Sequence, residues 1–484
     1  MYFLALPADI LLIVIKDLDV KGLVALSEAC HLLRRLVHEY GWKSHIRLYP
    51  RPSYSMAKAL SQWCPGAQIK YHTLSDKAWA RTTFAARPLS RPWHGKLQPL
   101  LAINNSRLVV AAGHILYSYA FTTSGGDGIT PGMRFECSYS LLRPPDSSKH
   151  DITAVVFLPD RGDRTLFVGF VHGALERIYL PPMQDGRKEV TIDPVLRTPF
   201  HYHHGDIIES LSITSDLLLS LTENGTAGLL NLSFPTPSPH MIELGERGWA
   251  AYLSTQSSTP YAAFGTSSDN PLAVHTITNS EISATPSSIL WSSVKDFESE
   301  RSSAVYGISS TPPGFPWGAS DNILVSGWYD GFVHVHDLRS PTCVPRLNNS
   351  PAPLFPVLSL SDPWSFEPVY SVSCGGGSSS HIAAGTARHS VVAFWDVRSP
   401  KTGWSVHAPG NDSSPVYSVI LESSRLFGAT QSRPFVYDFG PGVTPDTYPP
   451  LPRVHGDDGL SYKKGWNNVG FYVTKYSHRT TQLP

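Results

Sequence analysis

From Leu97 onward the chain is written in short apolar runs separated by polar turns. LLAI, RLVVAAG and HILYSYAF come first, then ITAVVFL, TLFVGFV and ALERIYL, each long enough for a strand and short for a helix. One pair of runs recurs without a gap: Ile323 to Pro341 reads ILVSGWYDGFVHVHDLRSP, and Ile382 to Pro400 reads IAAGTARHSVVAFWDVRSP. Each copy predicts two strands and a tight turn; in the first, Asp330 and Gly331 supply the positive backbone angles that such a turn requires. A recurring hairpin cannot bury its own faces, so neighbouring copies are expected beside it. PVYSV at Pro368 to Val372 returns at Pro415 to Val419, and AVYGI at Ala304 to Ile308 is a looser version. On that frame seven units are expected, at residues 97–120, 151–180, 204–233, 249–277, 304–339, 368–398 and 415–440. Polar stretches at 121–150, 181–203, 278–303, 341–367 and 373–380 read as loops between them. Seven units suit a closed ring, which leaves no long sheet edge open.

The first forty residues follow a different period. Residues 4–42 read as three short helices: Pro7 and Asp9 suit a helix start and Lys16 its end. Asp19 is placed to cap a second helix that carries Leu23 and Leu26 inward. A third carries Cys30, Leu33, Val37 and Tyr40 at helical spacing and stops at Gly41. The β-branched Ile10, Ile13, Val14 and Ile15 would also suit a strand, but the end signals arbitrate for helix. Ile10 to Ile15, ILLIVI, puts apolar side chains on every face of that helix, more than a module of about forty residues can cover. Either the ring or another protein covers the surplus. The connector holds a helical candidate at Tyr54 to Trp63, ending before Pro65 and Gly66, and Trp79 and Trp93 are expected to pin it to the ring. After Gly440 the chain reads as loop until GFYVTKY, 470–476, which either pairs with an early strand to close the ring or packs on its surface.

LPADILLIVIKDLDVKGLVALSEACHLLRRLV resembles an F-box, with Leu6, Pro7, Ile10, Leu11, Leu18, Leu23, Leu26, Cys30, Leu33 and Val37 where that pattern has its apolar residues and proline. In that family the apolar face binds the Skp adaptor of a cullin-RING ubiquitin ligase. The resemblance implies adaptor contacts by Leu6, Pro7, Ile10, Leu11, Val14, Leu18, Leu23, Leu26 and Leu33. The repeat in turn resembles the second half of a WD repeat. Trp395 and Asp396 match its Trp-Asp ending in full, His336 and Asp337 only in the aspartate, and most units lack its Gly-His pair, which His204 and Gly205 reverse. Together they resemble divergent F-box and WD-repeat substrate receptors. That implies a mainly β fold, a seven-bladed WD-repeat-like β-propeller over 97–440 preceded by a small all-α three-helix F-box module over 1–45, with a connector at 46–96 and a tail at 441–484. In WD propellers the turns between second and third strands share one rim; here they offer Tyr329, Arg388, His172, Asn224 and Arg433 as target-binding candidates. The implied function is a non-catalytic substrate receptor of an SCF-type ligase, and the alternative is a propeller scaffold with no ligase link.

Composition narrows the rest. The 39 basic and 39 acidic residues cancel, so no global field steers the chain to nucleic acid or to an acidic membrane surface. No run of about 18 apolar residues is long enough to span a bilayer. Cys30, Cys64, Cys137, Cys343 and Cys374 are odd in number and form no Cys-x-x-Cys pair, which fits reduced thiols of a cytoplasmic or nuclear protein. His201, His203 and His204 beside Asp206 match no metal-site spacing and read as a solvated loop. Asp337 and Asp396 are expected to accept hydrogen bonds inside their sheets. With no phosphate-binding glycine loop, nucleophile elbow or paired-histidine motif, neither a catalytic site, a metal nor a cofactor is expected.

Overall fold

Helices form at the start of the chain where their end signals lie. A computed structural model describes residues 6–479 except 94, 96, 125–129, 143–149, 160–161, 183–188, 201, 204, 235–237, 300, 313–319, 341–350, 411–412 and 452–468. Helix α1 spans Ala8–Lys16, α2 Val20–Ala29 and α3 His31–Leu36. Asp19 caps α2, its carboxylate accepting from the Gly22 amide at 2.7 Å. The third helix does not stop at Gly41: a π-turn over Val37–Gly41 carries the chain straight into α4, Trp42–Leu48. Packing is the reason. A Cβ on Gly41 would lie 3.1 Å from Ile15 and 3.2 Å from Leu23, so this glycine serves close helix approach while its backbone stays helical.

Leu11, Ile15, Leu23, Leu33, Leu36, Val37 and Trp42 form the core of this module, and Ile69 joins it from the connector. The connector holds α5, Ala57–Gln62, and beyond the expected helix a second one, α6, Pro65–Ala80. Pro65 and Gly66 looked like a stop; Pro65 in fact occupies the first turn of α6, where its missing N–H costs nothing.

The remainder is mainly β. The first meander pairs Leu100–Ile103, Arg107–Ala112, Ile115–Ser124 and Thr130–Ser140. The second pairs Ile152–Phe157, Thr165–Phe170, Leu175–Tyr179 and Arg197–Phe200, the third Ile208–Thr214, Leu217–Thr222, Thr226–Asn231 and His240–Glu243. The fourth uses Arg247–Ser254, Tyr261–Ser268, Leu272–Thr278 and Ser288–Leu290, the fifth Ser303–Ser310, Ile323–Trp328, Phe332–Asp337 and Leu358–Ser361. The sixth uses Val369–Gly375, His381–Thr386, Val391–Asp396 and Thr402–His407, the last Val416–Leu421, Arg425–Thr430 and Pro434–Asp438. Each first strand touches the first strand of the next meander, and Val416–Leu421 touches Leu100–Ile103. This is a β-propeller.

Second strands such as Ile323–Trp328 and His381–Thr386 are buried along their whole length, which is why apolar residues and glycine dominate them and their polar members, Ser326, His381 and Thr386, are buried too. The outermost strands carry no such apolar run. Arg197–Phe200, Ser288–Leu290 and Leu358–Ser361 all fall in stretches assigned to polar connections, because a short outer strand needs no apolar run.

Closure also differs from expectation. Ala85–Pro88, placed in the connector by sequence, completes the last meander with Ala85 opposite Asp438 and Pro88 opposite Phe435. The late strand begins at Lys475 and ends at Arg479, and it adds a fifth strand to the sixth meander through Thr402–His407. The residues just before it reach the closing strand: the Phe471 amide donates to the Ala86 carbonyl at 2.9 Å, and the Val469 carbonyl accepts from the Arg87 guanidinium at 3.2 Å.

The connector is bound to the ring along its length. Trp79 is buried and stacks on Phe439 with ring centroids 3.6 Å apart, while its indole N–H donates to the Ser423 carbonyl at 3.0 Å. Glu422, wholly buried, accepts from the amides of Tyr54 and Ser55 and from both serine hydroxyls at 53 and 55. Arg51 forms a two-pronged pair with Asp76 at 2.6 and 2.7 Å and reaches the Gly377 carbonyl. Trp93 donates to the Gln431 carbonyl at 2.6 Å. Both connector tryptophans are thus pinned, and the spacer between helices and ring is fixed.

Candidate interaction surfaces

The helical module leaves apolar side chains in solvent. Ile10 and Ile13 on α1 are 43% and 58% exposed, Val24 on α2 40% and Leu32 on α3 47%. Ile10 and Ile13 stand three residues apart and so share one side of α1. The residues singled out by resemblance divide into two groups. Pro7 and Ile10 are exposed and Leu6, Val14, Leu18 and Leu26 half-buried, but Leu11, Leu23 and Leu33 are interior, at 3%, 0% and 4% exposure. Those three hold the module together and have no surface for a partner, a distinction the leucine pattern alone does not make.

On the ring, the turns between second and third strands abut the loops that lead into the next meander. The Gly331 turn lies against Phe366 and Glu367, the Gly225 turn against Glu246, and the Gly173 turn against Gly205 and Asp206. Tyr329 and Arg388 are exposed there, and exposed Asn224 donates to Asp206 at 2.8 Å. His172 is half-buried, edge-on to His150 at 5.2 Å. Arg433 departs from expectation: it is 3% exposed and its guanidinium folds back over Gly410, leaving no reach into solvent.

The first strands supply a surface that the turn residues do not. Six of them carry a register shift near their start, between Ile152 and Ala154, Ile208 and Ser210, Gly248 and Ala250, Val305 and Gly307, Val369 and Ser371, and Val416 and Ser418. A bulge re-aims the residue left unpaired. The bulged residues are Thr153, Glu209, Trp249, Tyr306, Tyr370 and Tyr417. The last four make a continuous aromatic arc: Trp249 meets Tyr306 edge-on at 4.9 Å, Tyr306 meets Tyr370 at 5.1 Å, and Tyr370 stacks on Tyr417 at 5.9 Å. The signal was the recurring PVYSV, whose tyrosine is the bulged residue in both copies.

No protein-family model and no curated protein matches the sequence. Among solved structures, the WD40 β-propeller domain of Doa1 is similar at 11% identity and a TM-score of 0.48, covering 73% of this chain and 97% of that one. The WD40 repeats of RRP9 are similar at 12% identity and a TM-score of 0.47, again covering 73% and 97%. The propeller itself stands on its strand pairing and cyclic contacts.

Further along the propeller's rim, the loop from Asp362 to Glu367 presents Trp364 and Phe366, 74% and 59% exposed. Buried Asp362 fixes this loop, accepting from Ser405 and Tyr476 hydroxyls at 2.7 Å and from the Trp364 amide at 2.9 Å. Glu209 is half-buried, and burial pushes its carboxyl up to about 7. Arg247 pairs with Glu223 and lies over the Trp249 ring at 4.0 Å.

The repeated aspartates do different work from that expected. Asp337 accepts from Nε and Nη2 of Arg339, both at 2.8 Å, and Asp396 from the same atoms of Arg398 at 2.9 and 2.6 Å. These bonds close local turns with half-exposed arginines and bury no acceptor deep in the blade. The hydrogen bonds to Arg339 and Arg398 hold both carboxyls below the ordinary range, Asp396 against the opposing effect of its partial burial. Asp337→Ala and Asp396→Ala should each lower the melting temperature of the protein only slightly, since local pairs whose arginine is half in solvent contribute little; differential scanning calorimetry reads it. His203 is buried with Nε2 2.8 Å from the Ser220 hydroxyl, while His201 and His204 lie outside the described residues. Among the described residues, no group of three or more His, Cys, Asp or Glu side chains is placed to hold a metal.

Proposed function

We propose that this chain is the substrate-recognition subunit of an SCF-type ubiquitin ligase. Its helical module docks a Skp adaptor, and its ring, a seven-bladed WD-repeat propeller, presents a target protein for ubiquitin transfer by other subunits. The observation that carries this reading is the set of apolar side chains left in solvent on α1, α2 and α3 of a module that is itself fixed to the ring. Covering four half-exposed side chains adds roughly 3 to 6 kcal/mol. Association costs about 4 to 15 kcal/mol, so Pro7, Tyr40 and the half-buried Leu6 and Val14 must join the contact.

Ile10→Asp combined with Ile13→Asp should abolish copurification of the adaptor and cullin, because the contact would bury uncompensated charge. Circular dichroism of this variant should match wild type, since both positions face solvent. Leu11→Asp, by contrast, should unfold the module. Peptide identification after affinity purification separates the two readings: recovery of an adaptor that the double variant loses supports the receptor, and ring-bound proteins without any adaptor favour the scaffold.

A further inference from the structure

Between the fourth and fifth blades the rim opens into a cleft of about 420 Å³, at the small end of ligand sites. Tyr306 and Tyr329 form one side, with ring centroids 6.4 Å apart, and among the described residues Glu246 and Asp269 carry the charges of its lining, which four serines and an alanine complete. The Tyr306 ring does not have to be ordered by a ligand. Tyr306 sits at its bulge, wedged between Trp249 and Tyr370, and Asp269 is steadied by the Ser302 hydroxyl. Of the two described cations that flank the lining in sequence, Arg247 is engaged by Glu223 and the Trp249 ring, and Arg301 interacts with the Asp296 carboxylate.

Aromatic faces attract cations through the negative charge over the ring, and carboxylates beside them add attraction of the same sign. An anion would meet Glu246 and Asp269, with no basic residue among the described lining residues to offset them. We propose that this cleft receives a lysine or arginine side chain from a basic segment of a partner protein, seated against Tyr306 and Tyr329 and neutralised by Glu246 and Asp269. The inference rests on the target-presenting half of the reading above and is independent of adaptor docking. It locates that contact at the fourth and fifth blades, away from the Arg388 turn.

The test uses the full chain without adaptor and three fluorescein-labelled peptides of equal length, with an Arg-Lys-Arg, a Glu-Glu-Glu or a phosphoserine-containing centre, at about 0.15 M salt. Fluorescence anisotropy should report binding of the basic peptide alone. Tyr306→Ala should weaken it by about tenfold or more, and Glu246→Gln with Asp269→Asn by about fivefold or more. Tyr329→Ala, at an exposed position that the fold does not need, provides the same reading should Tyr306→Ala fold poorly. Glu281→Gln removes an exposed carboxylate outside the cleft and should change nothing. Equal binding by wild type and all cleft variants, preference for the acidic or phosphorylated peptide, or no binding of the basic peptide at about 1 mM would each overturn the proposal.

Discussion

Asp438→Ala should cost roughly 3 to 5 kcal/mol of stability, among the largest effects any single substitution in the ring would have. Arg425 and Asp438 pair at 3.0 Å with both side chains about 1% exposed. Tyr448 also donates to this carboxylate, the Gly440 amide donates to it at 2.7 Å, and Arg425 donates onward to the Pro131 carbonyl at 3.0 Å. Burial raises the Tyr448 phenol well above its ordinary range, so it remains a donor at every ordinary pH. Removing the carboxylate strands a buried guanidinium that water does not reach. The location multiplies the effect, because Asp438 is the residue opposite Ala85 in the closing strand. Thermal and urea unfolding would measure the loss. Arg425→Met with Asp438→Leu should be milder than Asp438→Ala alone, since no charge is then left unpaired; a single variant within about 1 kcal/mol of wild type would mean that solvent reaches the pair.

Trp79→Ala should have an effect of similar size and a different character. A buried tryptophan replaced by alanine costs roughly 3 to 5 kcal/mol, and here it also removes the Phe439 stack, the edge contact to Phe394 at 5.8 Å and the bond to Ser423. The loss falls on the joint between helices and ring. Hydrogen exchange should therefore show α6 amides losing protection while those of the second and third blades keep theirs. Under the proposed function, ubiquitin transfer should fall more than binding of either partner, because the distance between adaptor and target is no longer held. Uniform loss of protection across the ring would show that α6 is part of one cooperative unit with it.

Much of the architecture is legible in the sequence where burial is two-sided. Ile323–Trp328 and Val391–Asp396 announce themselves because both faces are covered, so apolar residues dominate each run and the one polar residue inside, Ser326, is buried and hydrogen-bonded to Trp328. Asp19 marks a helix start because its carboxylate is needed there. What escaped are features that depend on distant neighbours. Ala85–Pro88 has nothing strand-like in AARP, and it becomes a strand because the last meander lacks an edge partner. Gly41 read as a stop, although its role is set by Ile15 and Leu23 on two other helices. Arg433 sits at a turn like its counterparts, yet the loop at Gly410 takes its side chain. The aromatic arc is half visible: PVYSV is a repeat on the page, while the bulge that turns its tyrosine to the rim is a matter of pairing register, which one strand alone does not display.

Ala85 leaves the ribosome roughly 350 residues before Asp438, its partner in the closing strand. At about 5 to 20 residues per second that is a wait of roughly 20 to 70 s. Throughout it the closing strand has no mate, and the first and sixth blades each lack a neighbour on one flank. Blades can stack in order as they emerge, but the ring is secured in a single late step that joins the oldest part of the propeller to the newest, a contact of very large sequence separation and correspondingly slow to find. The nascent chain thus spends most of its synthesis as an open arc with an unpaired edge, the form in which it most needs a chaperone and is most exposed to pairing with another copy of itself.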